Sequence, residues 1–359
     1  MKVKTKPLIS LALLVISVLI HIYSNNKLRV ETGYSTHFFV NFSQGLRSIL
    51  GHTTVSIGDI LYGGTFLLIL WYCGRAIIFI LKRKKWKIYG LNLWINMVNL
   101  LCLLYIIFNI FWGINYNRKG IAWQLGLSVT AYNTAELRNI NSLLVQKINL
   151  SKTSLMHQPV VYPTNAQLFV MVDNGYKNVS ILYPFLKYKP VALKSSLWGW
   201  LGNYTGFTGY YNPFTGEAQV NTTVPKFSQP FTACHEVAHQ LGYAKEMEAN
   251  FVGYLAAASS SDTLFHYSVY LDLFSYANRN LYFIDSASAK QYSKALSPGV
   301  VKDIKEWVAF NRAHQSPLEP IIKWLYGKFL QGNQQPQGLL SYDEVTGFII
   351  AYYKKFGKI

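Results

Sequence analysis

Three apolar runs constrain this chain more than any other feature. Pro7 to Tyr23, Val55 to Leu81 and Leu91 to Ile114 each approach or exceed the ~20 residues a helix needs to cross a bilayer. Lipid offers the backbone no hydrogen-bond partner, so such runs must be helical. Hydrophobic residues are 51% of the 359 and charged residues only 14%, low for a protein that meets water on every side. We therefore expect a membrane domain over 1–115, with spans at about 7–23, 55–81 and 91–114, then an extracytoplasmic domain over 116–359.

Basic residues set the expected orientation. Lys2, Lys4 and Lys6 precede the first run, and Lys82, Arg83, Lys84, Lys85 and Lys87 fill the short loop between the second and third. Both stretches should stay cytoplasmic, which puts residues 116–359 outside, in the periplasm of a Gram-negative cell, with the spans in the inner membrane. The bulky His21-Ile22-Tyr23 offers no small-residue cleavage site, so the first run reads as an uncleaved anchor. The net charge of +18 is partly this pattern: residues 1–115 hold 12 Lys/Arg against Glu31 and Asp59, and the remainder 22 against 14. That remainder is dispersed, without an Arg-rich stripe, and argues against a nucleic-acid partner and for an anionic surface nearby.

The chemistry sits at His235-Glu236-Val237-Ala238-His239. On a helix, His235 and His239 are one turn apart, about 40° around the axis, so both rings can reach one zinc ion. Glu236 projects about 100° away, where a carboxylate can take a proton from water. Gly242 is a good helix C-cap, so a second helix can begin near Lys245. On it Glu246 and Asn250 share a face with Gly253 and Ala257, small residues that allow close packing. Glu246 is the expected third ligand, with Asn250 bonding a ligand from behind. Glu248, about 200° around, is the competing choice. Cys234 points away from both rings and reads as a core residue.

The two motifs resemble the gluzincin class of zinc metallopeptidases, in which a second carboxylate-bearing helix follows H-E-x-x-H. Glu246 to Phe251 is similar to the second motif of metallopeptidases that cleave repressors or immunity proteins. The chain resembles more fully a family of Bacteroidetes membrane proteins, the domain of unknown function 3810. That resemblance rests on Trp112 to Tyr116, on Gly209 with Asn212 to Ala218, and on Pro230 to Gln240, and covers nearly the whole length. It implies a zincin-type metal site and leaves the substrate open.

Elsewhere in 116–359, Asn133 and Glu136 form a capping box that should open a helix to about Ile148. Residues 197–216 are rich in Gly and aromatics. Glu217 to Thr223 alternates, with Glu217, Gln219 and Asn221 on one face, and is expected to be either an edge strand that pairs with an extended substrate or a half-exposed strand with a solvated polar face. Past residue 262 helices dominate. The expected fold is α+β: three transmembrane helices, then a mostly helical zincin-like domain with a small sheet. The expected activity is peptide hydrolysis using one Zn2+ per chain, with His235, His239 and Glu246 as ligands and Glu236 as base. The expected partners are an envelope polypeptide substrate and the bilayer. A catalytically silent zinc protein with a structural or sensory role is the alternative. Tyr267, Tyr270, Tyr276, Arg279 and His266 are all candidates for an oxyanion partner, and the sequence does not choose among them.

Overall fold

The computed structural model describes residues 5–81, 90–157 and 161–359. Lys2, Lys4 and the cluster at 82–87 lie outside the described residues. Among the described residues, three helices are long and apolar enough to cross a membrane, over Pro7–Ser24, Ile57–Ile78 and Trp94–Phe111, with mean hydropathies of 2.1, 1.4 and 1.9. The third ends at Phe111, three residues before the expected Ile114, and the chain tightens into a 3-10 turn over Gly113–Asn117. A Cβ at Gly113 would lie 2.7 Å from the Phe108 ring, so this tightening needs glycine.

The remainder is mostly helical around one three-stranded sheet. Strands β1 (Leu193–Ser195), β2 (Gly209–Asn212) and β3 (Glu217–Val220) lie in the order β1-β3-β2. β3 pairs parallel with β1 and antiparallel with β2. The expected substrate strand is therefore corrected: β3 is the central strand, and its backbone groups are already used by its neighbours. Glu217, Gln219 and Asn221 are all buried, at 0%, 0% and 2% exposure. Alternation along a strand reveals two faces but not what covers them. Here one face meets the start of the second apolar helix. Glu217 accepts from the Gly58 amide at 2.6 Å and the Ile57 amide at 3.3 Å, capping that helix where its free N–H groups favour a carboxylate. Gln219 lies 2.9 Å from Ser56 Oγ, and Asn221 bonds Gly199 O at 2.9 Å.

The pentad helix (Gln229–Gln240) and the carboxylate helix (Glu246–Ala258) pack face to face at the centre. Around them lie the helices Thr134–Met156, Asn165–Leu182 and Thr263–Ile284. The Asn133 capping box is present, and its helix runs on past Ile148 to Met156. A second box at Thr164 and Gln167 starts the helix that contains Asp173-Asn174-Gly175. Gly175 is needed there for approach, since its Cβ would meet Ala256 O at 2.9 Å.

The segment between the first two apolar helices folds onto this unit. It forms a π-helical stretch, Val30–Phe38, then a helix, Phe39–Leu50. Phe39 is buried against Trp112, whereas Phe38 and Ile49 face outward. Fully buried Arg47 donates to the carbonyls of Gln240, Pro190 and Lys189. Buried Glu31 takes both a 2.6 Å and a 3.0 Å bond from Arg118, whose Nη1 donates to Gly242 O at 3.1 Å. Residues 24–56 thus brace the turn between the pentad and carboxylate helices, across the sequence boundary drawn at 115/116.

Candidate metal centre

The pentad helix ends at Gln240 because Gly242 takes φ +87°, a left-handed conformation open to glycine. The next helix starts at Glu246 with Lys245 as its cap residue. Gly253 then lets the two helices close: its Cβ would sit 3.0 Å from the His235 amide nitrogen and 3.1 Å from its Cα. This approach carries Glu246 to the histidines. Glu246 Oε2 lies 3.2 Å from His235 Nε2 and 3.5 Å from His239 Nε2. Among the described residues, these three bring potential metal-donor atoms within 4.8 Å of one another, and all three are buried.

The other ring nitrogens are held from behind. His235 Nδ1 lies 2.8 Å from Asn250 Oδ1, and His239 Nδ1 lies 2.7 Å from the Tyr243 carbonyl oxygen. In both cases an acceptor keeps the proton on Nδ1 and leaves Nε2 free to ligate. Tyr243 is itself held, by its hydroxyl on Gln124 at 2.7 Å and by Arg118 over its ring at 4.4 Å. Glu248, the competing ligand, points the other way and is buried against Gly120, where a Cβ would lie 1.9 Å from its Oε1. Cys234 is buried, and its carbonyl accepts from Tyr176 at 2.6 Å. Burial pushes the Cys234 thiol well up.

Charge is tightly coupled here. Burial raises Glu236 to about 7, against the lowering pull of His235 and His239. Burial opposes charge on His239, but Glu246, Glu236 and the Tyr243 carbonyl outweigh it and lift the ring to about 9. Burial likewise opposes charge on Glu246, and the two histidines overcome it and hold that carboxyl well below the ordinary range. Glu236 Oε2 is buried without a hydrogen-bond partner, and Glu246 Oε2 faces the two imidazole Nε2 atoms. An orphaned acceptor such as Glu236 Oε2 asks for a cation or a water.

Several residues at the centre come from distant parts of the chain, and of Tyr326, Gln335, Tyr342 and Trp112 only Trp112 lies in a motif the sequence singled out. Tyr326 donates to Glu246 Oε1 at 2.7 Å, and Gln335 Oε1 accepts from the Glu246 amide at 2.8 Å. The Tyr342 ring stacks on His235 with centroids 6.2 Å apart, and its carbonyl accepts from Asn250. Trp112 meets His239 edge-on at 5.9 Å. Of the five oxyanion candidates, Tyr276 lines the cavity beside Glu236. Tyr267 is tied to Asp303, Arg279 to Asp343, and His266 to Ser260 O, while Lys147 lies over the Tyr270 ring. Only position in space separates these rings, and tyrosine spacing along the helices carries no signal of it.

Two cavities flank the cluster. One, about 220 Å3, is lined by Glu236, Asp272, Tyr276 and Lys323. The other, about 320 Å3, reaches His235, Glu236, His239 and Glu246 and is largely aromatic. Strand β2 runs between them, since Gly209 lines both. β2 pairs only with β3 and is an edge strand of this sheet. Gly209, not Glu217, Gln219 or Asn221, is the strand residue next to the base: its Cβ would lie 2.6 Å from Glu236 Oε1.

The family model described as "Protein of unknown function (DUF3810)" matches residues 34–350, so the chain belongs to that family. Neither the curated proteins nor the solved structures hold a match to it.

Proposed function

We propose that this family member is a membrane-anchored, zinc-dependent peptidase with a zincin-like domain. One observation carries the reading: a buried carboxylate, Glu236, stands beside three converging donors whose chemistry suits zinc. Two imidazole Nε2 atoms and one carboxylate oxygen form a donor set that leaves a coordination position open. Glu246 Oε2 and the two Nε2 atoms would take a cation between them, with the Nδ1 contacts holding the rings from behind. Zinc held by His235, His239 and Glu246 would acidify water and polarise a carbonyl.

The chain's own groups supply the rest. Glu236, buried beside the donors, can accept a proton from the attacking water and hand it to the leaving amine. The water oxygen bonds to the carbonyl carbon, the C–N bond breaks, and the proton ends on nitrogen. Edge strand β2 offers backbone groups for an extended peptide. Tyr342, whose hydroxyl lies 3.5 Å from that of Tyr326, is the candidate donor to the developing oxyanion. The amino terminus is cytoplasmic and residues 116–359 are periplasmic in this reading, which follows from the basic residues at 2–6 and 82–87.

The Glu236→Gln variant tests it. Zinc content should stay near one per chain, while hydrolysis falls by about 10² or more, the scale of general-base catalysis. The catalytically silent alternative has no need of a base. If Glu236→Gln restores a deletion strain fully and His235→Ala does not, that alternative wins.

A further inference from the structure

The aromatic cavity has an unusual composition. Tyr62, Phe108 and Trp112 line it together with the metal-donor cluster. Tyr62 belongs to the helix Ile57–Leu81, and Phe108 to Gly90–Phe111, which Trp112 directly follows. Tyr62 is the sixth residue of its helix, so it lies roughly 8 Å below the helix start. The site therefore opens at the level where aromatic side chains of membrane-crossing helices meet the headgroups.

The two sides of this opening are pinned to the same helices. On one side Trp198 packs over Gly63, whose Cβ would lie 3.1 Å from the indole, and Trp198 Nε1 donates to Asp59 O at 3.1 Å. On the other, Phe329 meets Phe108 with centroids 6.1 Å apart. Next to these anchors, Trp200 and Trp324 stand 57% and 62% exposed, with Ile321 and Leu325 also exposed. An apolar rim continuous with membrane-crossing helices costs little when it rests in the bilayer surface and would be exposed to water anywhere else. Asp272 and Lys323 line the smaller cavity.

We infer that the substrate is a polypeptide anchored in the same bilayer and cut just outside its anchor, with its anchor-proximal residues in the Tyr62–Phe108–Trp112 pocket. The inference rests on the peptidase reading and adds the class of substrate.

The test uses the full zinc-loaded chain in phosphatidylethanolamine–phosphatidylglycerol vesicles. The probe is a randomised peptide segment joined to a single poly-Leu transmembrane helix, either directly or through a Gly/Ser spacer of about 30 residues. The same segment without an anchor is the third probe. Mass spectrometry reads the released fragments, and Glu236→Gln gives the background. Directly joined segments should be cut about tenfold faster or more than spacer-joined ones, although both are held at the same surface. Equal or faster cutting of the spacer-joined or free segments, still dependent on Glu236, overturns the inference, leaves the peptidase standing and gives the pocket to lipid chains. Absence of Glu236-dependent cutting of all three probes overturns both.

Discussion

Asn250 Oδ1 lies 2.8 Å from His235 Nδ1, one turn along the helix from Glu246, whose Oε2 is 3.2 Å from Nε2 of the same ring. One helix face thus grips both nitrogens of one imidazole. The ring cannot rotate without losing one contact or the other. Asn250→Ala should leave the fold intact and weaken zinc by about 10- to 100-fold, the usual cost of losing a group that orients a ligand. Competition against a chelator measures this. Unchanged affinity would mean the helix packing alone orients His235.

Zinc binding should expel a proton. Without metal, His239 is held at about 9, so at pH 7 it is charged and must lose its proton to ligate. Calorimetry in buffers of different ionisation enthalpy should show about one proton released per zinc. The sign for stability follows from the raised value. His239 favours the metal-free fold fully below its ordinary value near 6.5, and that contribution is lost as pH rises through about 9. Metal-free protein should lose stability over that window, and zinc-loaded protein should not. A flat profile for the metal-free protein would show that His239 is neutral there.

The local part of the centre was legible in the sequence because it depends on one helical period. His235, Glu236, His239, Glu246 and Asn250 are all fixed by spacing, by the turn at Gly242 and by the close approach at Gly253. The rest depends on distant chain. Tyr326 is 80 residues from the carboxylate it bonds, and Gln335 is 89 from the amide it accepts. The Glu31–Arg118 pair joins residues 87 apart on either side of two apolar helices. Glu217 misled because alternation defines faces and not neighbours. A charged residue at 0% exposure in a strand is explained only by the helix start it caps.

That cap makes its own prediction. Glu217→Ala leaves the Ile57 and Gly58 amides and the Thr215 hydroxyl without their acceptor. The cost should be about 1–3 kcal/mol, read as a lower midpoint of thermal unfolding in detergent. Glu217→Gln, which keeps an acceptor oxygen, should lose less. An edge-strand role would instead alter cleavage and spare stability.

At Gly209 the backbone runs close against the base. A methyl group there would lie 2.6 Å from Glu236 Oε1, 2.8 Å from its Cγ and 3.0 Å from Gln219 O. β2 cannot retreat, because it is hydrogen-bonded to β3 along its length, with Gly209 opposite Val220. The carboxylate must move instead. The atoms nearest that methyl belong to Glu236 and Gln219 and not to His235 or His239, so the metal should stay. Gly209→Ala should therefore keep zinc near one per chain and lose about 10² in turnover, the cost of a misplacement of about 1 Å in a reacting group. Loss of zinc together with activity would show that the strand supports the ligands rather than the base. Turnover equal to wild type would show that Glu236 has room to move and is not held in place for proton transfer.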